Sequence, residues 1–280
     1  MPKQPSVLQP HQFVPGLDFP FAYTQAGQGE ILVLVHGSLC DYRYWRPQLS
    51  GLSTRLHVVA PSLRGYWPEA FTQEDRRFTI AQHAHDLSML IKHLGKGRPV
   101  HVLGHSRGAH VALVTALNYP HCVQSLILAD PGFQLEHESH TYDYLERAAL
   151  ELQQGDREGA LQRFIDTVNG EATWSKMVSW FKEMVRDNAG TLLSQAQEPA
   201  KAFPLDAAAN ITCPVLLLGG RNSPARYGKI MDALQSRLPC AKRDTIALAA
   251  HGMNLANPRA FNARVVQFIE GITAQSYSPV

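Results

Sequence analysis

Five nearly continuous apolar runs constrain the fold of this chain more than any other feature of its sequence. Each run has the length of a β-strand, and amphipathic helical patterns lie between them. Strands that helices cover on both faces are apolar throughout, which is typical of parallel sheets. The pattern therefore predicts an α/β fold in which helices flank a mostly parallel central sheet. The runs read EILVLVHG, LHVVAPS, PVHVLGHS, SLILADPG and PVLLLGG.

One long stretch interrupts this alternation. From about Gly132 to Phe203 the chain has no strand-like run, and its apolar residues recur at helical spacing instead. Because strands precede and follow the stretch, we expect an inserted helical cap and not a separate domain on a linker. The expected division is an α/β core of residues 1–131 and 204–280 with a cap over 132–203.

Composition argues against several classes of function. The 280 residues carry a formal net charge of +2, which is too small to favour nucleic acid or an anionic membrane as a partner. No apolar run approaches the roughly 18 residues of a membrane span, and the first residues lack a secretory signal pattern. The four cysteines are scattered, and His137 and His140 have no third ligand at metal spacing. We expect a cytoplasmic protein that acts on a small molecule without metal or organic cofactor, and we leave assembly into a homo-oligomer open.

A short motif marks the point where one apolar run should become a helix, Gly104-His105-Ser106-Arg107-Gly108. A sharp strand-to-helix turn would expose the Ser106 hydroxyl, and glycines on either side would let the strand and the helix pass closely. The amides at the start of the helix, that of Arg107 first, would point at negative charge on a substrate oxygen. A glycine-rich turn with an incidental serine is the alternative, but the position between strand and helix favours a nucleophile.

These residues resemble the nucleophile turn of the α/β-hydrolase fold superfamily, and the resemblance extends over nearly the whole chain. It implies the chain order nucleophile, acid, histidine. Ser106 is then the nucleophile, and His251 in LAAHGMNLANP is the general base. The resemblance also implies an oxyanion hole formed by the amides of Arg107 and Ser38, with Leu39 as an alternative to Ser38.

The catalytic acid departs from the common pattern of that superfamily. The loop LLLGGRNSPARY, where the acid usually lies, contains none, and Asn222 cannot stabilise an imidazolium as a carboxylate does. Asp130 ends the run LILAD just before the cap, at the sheet edge where functional groups of such folds collect. Some branches of the superfamily carry the acid there, so we predict that Asp130 orients His251. The alternative is that Asp130 only turns the chain into the cap.

The sequence thus predicts a serine hydrolase that cleaves a small ester, lactone or related carbonyl compound through an acyl-enzyme. Two alternatives stay open. One is a lyase or cofactor-free oxygenase that uses the His–Asp pair as a base, and the other is a ligand-binding protein without catalysis. The candidate substrate-binding residues follow the expected oxyanion segment or belong to the cap, and they are Leu39, Tyr42, Trp174 and Phe181.

Overall fold

A seven-stranded sheet forms the centre of the protein in a computed structural model. The described residues are 18–69, 77–136, 143–199, 202–239 and 241–276. His137, His140 and Cys240 lie outside them. The strands are β1 (Tyr23–Ala26), β2 (Ile31–Val35), β3 (His57–Pro61), β4 (Val100–His105), β5 (Val123–Ala129), β6 (Val215–Gly220) and β7 (Ala241–Ile246). Their order is β1-β3-β2-β4-β5-β6-β7, and every neighbouring pair is parallel except β1 with β3.

The five apolar runs all form central strands, which confirms the predicted α/β class. On β2, Leu32 and Leu34 pack into one hydrophobic cluster, whereas Val33 and Val35 pack into another. None of these four side chains is exposed. Both faces of the sheet are therefore covered, which explains why the runs show no alternation of polar and apolar residues. The edge strands β1 and β7 carry weaker patterns because β1 is short and β7 is largely accessible to solvent.

Helices lie on both faces of this sheet. In the described part of the chain no helix has the combined length and apolarity that crossing a membrane requires. The helices are α1 (Arg46–Leu52), α2 (Ile80–Leu94), α3 (Arg107–Asn118), α4 (Asp143–Gln153), α5 (Arg157–Asn169), α6 (Thr173–Lys176), α7 (Ser179–Asp187), α8 (Thr191–Gln197), α9 (Ala225–Gln235), α10 (Met253–Ala256) and α11 (Pro258–Ser276).

The chain between β5 and β6 contains α4 to α8 and, in its described part, no strand. A buried polar network joins these helices to the core. Arg43 contacts the carboxylate of Asp41 at 2.7 Å and that of Asp187, at the end of α7, at 2.9 Å. The side-chain amide of Asn188 donates a hydrogen bond to Asp41 at 2.7 Å. The segment just before α1 and the end of α7 are therefore held together by charge as well as by apolar packing.

Candidate active site

Ser106 occupies a strained turn between β4 and α3. Its backbone has φ 55° and ψ −122°, and a positive φ of this kind costs a residue other than glycine roughly 1–3 kcal/mol. A Cβ on Gly104 would lie 2.3 Å from the carbonyl oxygen of Gly108, and a Cβ on Gly108 would lie 2.2 Å from that of Val35. Only glycine fits at both positions, so the chain can turn sharply and present Ser106 to a cavity.

The two residues of the expected oxyanion hole, Ser38 and Arg107, line the same cavity as Ser106. Arg107 begins α3, so its amide precedes the hydrogen-bonded part of the helix. Gly37 packs against the turn, since a Cβ there would lie 3.0 Å from the Cβ of Ser106. Leu39 has φ 59° and a fully buried side chain. Backbone segments thus approach Ser106 from two sides, an arrangement that can bind an oxyanion.

Asp130 and His251 form a buried pair at the carboxyl edge of the sheet. Asp130 directly follows β5, and its Oδ2 lies 3.2 Å from Nδ1 of His251. The hydroxyl of Ser223 donates to the same carboxylate oxygen at 2.5 Å. Asp130 is completely buried and His251 nearly so. The sequence indicated the Asp130–His251 contact, but it gave no signal for the support from Ser223.

Burial controls the protonation of this pair. Loss of water raises the pKa of Asp130 to about 7, although the hydrogen bond from Ser223 opposes the rise. Loss of water also lowers the pKa of His251 well below its ordinary value, and the charge of Arg226 adds to the effect. At neutral pH the imidazole is therefore uncharged, which is the form that a general base requires.

The second ring nitrogen of His251 contacts Tyr227. The Tyr227 hydroxyl lies 3.1 Å from Nε2, and the two rings stack with centroids 4.1 Å apart and an interplanar angle of 10°. Tyr227 and Ser106 line the cavity, but His251 is not among the lining residues. Within the described residues no hydrogen bond joins Ser106 to His251. Tyr227 therefore stands where the triad mechanism would place the serine.

His105 and Tyr227 are site residues that the sequence reasoning missed. His105 ends β4, its ring lies 4.5 Å from that of His251, and its Nε2 lies 2.7 Å from the carbonyl oxygen of His251. Burial lowers the pKa of His105 to about 3, so a neutral ring donates this hydrogen bond. Tyr227 lies in the first turn of α9, after the loop that lacks an acid. Its position at the end of the segment LLLGGRNSPARY was the one available signal, and a tyrosine there does not by itself indicate a contact with histidine.

A cavity of about 560 Å³ opens beside Ser106. Both the core and the helices between β5 and β6 contribute to its walls, so the insertion covers the carboxyl edge of the sheet at this point. Its apolar lining residues include Val114, Leu117, Phe133, Leu145, Phe164 and Ile230.

The four residues that the sequence suggested for substrate binding lie elsewhere. All are buried in the hydrophobic core, and none is among the residues that line the cavity, namely Leu39, Tyr42, Trp174 and Phe181. Phe181 packs edge-on against Tyr44, for example, with centroids 6.1 Å apart. Their size and apolarity reflect packing between the core and the insertion. A sequence pattern alone does not separate such packing from a pocket wall.

An ion pair gives the cavity a polar end. Nη1 of Arg107 lies 2.7 Å from Oε2 of Glu198, and both residues line the cavity. The other oxygen of Glu198 accepts the backbone N–H of Ile80, at the start of α2, at 2.6 Å. The charge of Arg107 is thereby balanced next to Ser106. The described residues contain no group of three or more His, Cys, Asp or Glu side chains that could hold a metal ion.

Comparison with known proteins decides the family. A model described as the alpha/beta hydrolase family matches residues 32–264. The chain belongs to this family. The match covers most of the chain, so the resemblance inferred from the sequence is confirmed, and the protein is an enzyme of the α/β-hydrolase fold.

Relatives of this α/β-hydrolase are distant in sequence. An (E)-2-((N-methylformamido)methylene)succinate hydrolase of Acinetobacter baylyi is 23% identical over 248 residues, which cover 89% of this chain and 93% of the relative. An esterase structure from Exiguobacterium antarcticum has a TM-score of 0.80 at 20% identity, with 92% of this chain and 99% of that chain covered. The enol-lactonase from Burkholderia xenovorans has a TM-score of 0.76 at 19% identity and covers 89% of this chain and 96% of its own. These structural similarities establish the fold.

Proposed function

We propose that this α/β-hydrolase is a serine hydrolase that cleaves a small ester, lactone or related carbonyl compound through an acyl-enzyme. The observation that carries the proposal is the strained turn of Ser106, which opens on the cavity beside the expected oxyanion hole. His251, paired with Asp130 at 3.2 Å, packs on His105 of the same turn. The residues proposed as nucleophile, base and carboxylate thus lie near one another at the carboxyl edge of the sheet, which supports the proposal.

In the proposed reaction the Ser106 hydroxyl attacks the carbonyl carbon while Nε2 of His251 takes its proton. The amides of Ser38 and Arg107 donate hydrogen bonds to the oxygen that becomes negative. Asp130, as the carboxylate, accepts Nδ1–H and stabilises the imidazolium. His251 then gives its proton to the leaving group. Water, deprotonated by the same nitrogen, attacks the acyl carbon and releases Ser106.

The cavity supports a substrate of modest size with an apolar part. About 560 Å³ is the range of small-molecule sites, and most of the lining is apolar. The related proteins are named as a hydrolase of a succinate derivative, an esterase and an enol-lactonase. Those names support a small carbonyl compound as the substrate class for this enzyme.

Labelling with a fluorophosphonate, followed by intact mass spectrometry, tests the nucleophile. Wild-type protein should gain one adduct, and Ser106→Ala should gain none. In an intact triad, loss of the serine costs on the order of 10⁶ in turnover, so Ser106→Ala should also lose hydrolysis of any ester or lactone found in a substrate screen. Ser50→Ala is the control, because Ser50 is an exposed serine on α1. Undiminished turnover by Ser106→Ala would contradict the acyl-enzyme and favour lyase or oxygenase chemistry.

A further inference from the structure

Three groups surround the hydroxyl of Tyr227. Nε2 of His251 lies 3.1 Å away, the backbone carbonyl oxygen of Val168 lies 3.1 Å away, and a guanidinium nitrogen of Arg226 lies 3.0 Å away. Val168 belongs to α5 of the insertion. Arg226 reaches the same helix, since it donates to the carbonyl of Thr167 at 3.2 Å. Tyr227 therefore connects the candidate base to the helix that covers the cavity.

The hydrogen atoms available in this cluster determine whether Nε2 of His251 can accept a proton from Ser106. A phenol has one hydrogen, a backbone carbonyl only accepts, and a guanidinium only donates. When Tyr227 donates to Val168, its oxygen can satisfy His251 only by accepting Nε2–H. A histidine with its hydrogen on Nε2 has no lone pair there for the Ser106 proton. If the phenol hydrogen points to His251 instead, Nε2 is still engaged by Tyr227.

The raised pKa of Asp130 is consistent with this arrangement. Nδ1 of a histidine that carries its hydrogen on Nε2 is an acceptor, and a protonated Asp130 can donate to it across the observed 3.2 Å. Asp130 and Tyr227 would then hold His251 from both sides in a tautomer that is inactive as a base. The stacked ring of Tyr227 also covers His251, which does not line the cavity.

We propose that Tyr227 is a positioning residue that holds Nε2 of His251 away from Ser106 while the cavity is empty. The proposal rests on the proposed serine hydrolase function. A substrate in the cavity contacts both Tyr227 and α5, because Tyr227 and the α5 residues Phe164 and Val168 all line the cavity. Displacement of Tyr227 from Val168 releases its hydroxyl from His251. The proton of Asp130 then moves to Nδ1, Nε2 gives its own proton to water, and the Ser106 hydroxyl donates to the free lone pair of Nε2. Cavity occupancy is thus coupled to the formation of the active base.

The test compares rates of fluorophosphonate labelling in the full-length protein. Tyr227→Phe keeps the stacked ring but removes the hydroxyl. Nε2 of His251 then has no phenol to bind and is free to accept the hydroxyl of Ser106. Loss of one hydrogen bond of ordinary strength should raise the labelling rate constant about threefold to tenfold. Tyr119→Phe is the matched control, because the Tyr119 hydroxyl also contacts a histidine, His85 at 3.1 Å, and neither of these residues lines the cavity. Its rate should equal that of the wild type.

Nitrogen NMR of the histidine rings supplies a readout that a purely structural role would not change. The His251 signal should report hydrogen on Nε2 in the wild type and on Nδ1 in Tyr227→Phe. An unchanged tautomer, or a labelling rate that stays equal or falls, would overturn the role of Tyr227 while leaving the serine hydrolase intact. Absence of labelling in both the wild type and Tyr227→Phe would overturn the serine hydrolase function itself.

Discussion

Asp130, the proposed catalytic acid, carries a cost to stability because it is buried. It is fully buried, and burial raises its pKa from 3.8 to about 7. Between these two values the folded protein holds a proton that the unfolded chain releases. Stability therefore falls as the pH rises through this window, because the folded state increasingly contains a buried carboxylate. The hydrogen bond from Ser223 offsets only part of that cost.

Replacement of Asp130 by asparagine should move activity and stability in opposite directions. Asp130→Asn should lower turnover on the order of 10⁴-fold, since an amide cannot stabilise the imidazolium and favours the wrong tautomer. The same change removes the buried charge, so the variant should gain thermal stability over the wild type at about pH 8 and much less at about pH 4. Melting curves at the two pH values check the second expectation.

Asp206→Asn is the control for that comparison, because Asp206 is an exposed carboxylate in an ion pair with Arg237. Its stability difference from the wild type should change little between the two pH values. Turnover of Asp130→Asn near that of the wild type would remove Asp130 from the triad. A stability gap that does not widen with pH would contradict the raised pKa.

At the same scale, the sequence could single out Ser106 and Asp130 as candidates for the site, but not Tyr227. Ser106 has a local signature, since two glycines must flank a turn of this kind, and Asp130 directly follows an apolar run. Tyr227 has none, because its contact with His251 depends on how α9 and the loop before α10 meet in space. The same holds for Ser223, whose hydroxyl reaches Asp130 across the chain.

At the scale of elements, the junction of β4 and α3 is a tightly constrained part of the fold. The five central strands could be predicted because burial on both faces leaves an unbroken apolar pattern. The edge strand β7 lacks that pattern, since three of its six residues are exposed. The close approach of β4, α3 and β2 follows from glycine at two positions, and it carries Ser106 to the cavity.

Alanine at one of those glycines should destabilise the protein, whereas alanine in an exposed helix should stabilise it. A Cβ on Gly108 would lie 2.2 Å from the backbone oxygen of Val35, so Gly108→Ala should cost roughly 1–3 kcal/mol or more. Gly271 lies in α11 with nothing near its Cβ position, so Gly271→Ala should gain about 0.5–1 kcal/mol. Urea unfolding measures both, and a Gly108→Ala variant as stable as the wild type would contradict the crowding at the junction.

At the scale of the whole molecule, the packing of the insertion on the core determines which residues line the cavity. The helical character of the chain between β5 and β6 could be predicted from its lack of strand-like runs. Its packing could not, because Trp174 and Phe181 have the same apolar character whether they face a ligand or the core. The structure places both in the core. It brings Phe164 and Val168 of α5 to the cavity instead.

The network around Arg43 should be the strongest polar link between core and insertion. Asp41 is fully buried, and Arg43 binds it and Asp187 together. Arg43→Met removes the cation and leaves a buried carboxylate with only neutral donors, so it should cost roughly 3–5 kcal/mol in urea unfolding. Asp187→Asn should cost within about 1 kcal/mol, because its side chain is 40% exposed. Adding Asp41→Asn to Arg43→Met should recover part of the loss, since no buried charge is then unpaired. Equal costs for the two single variants would show that the link lies in apolar packing and not in this network.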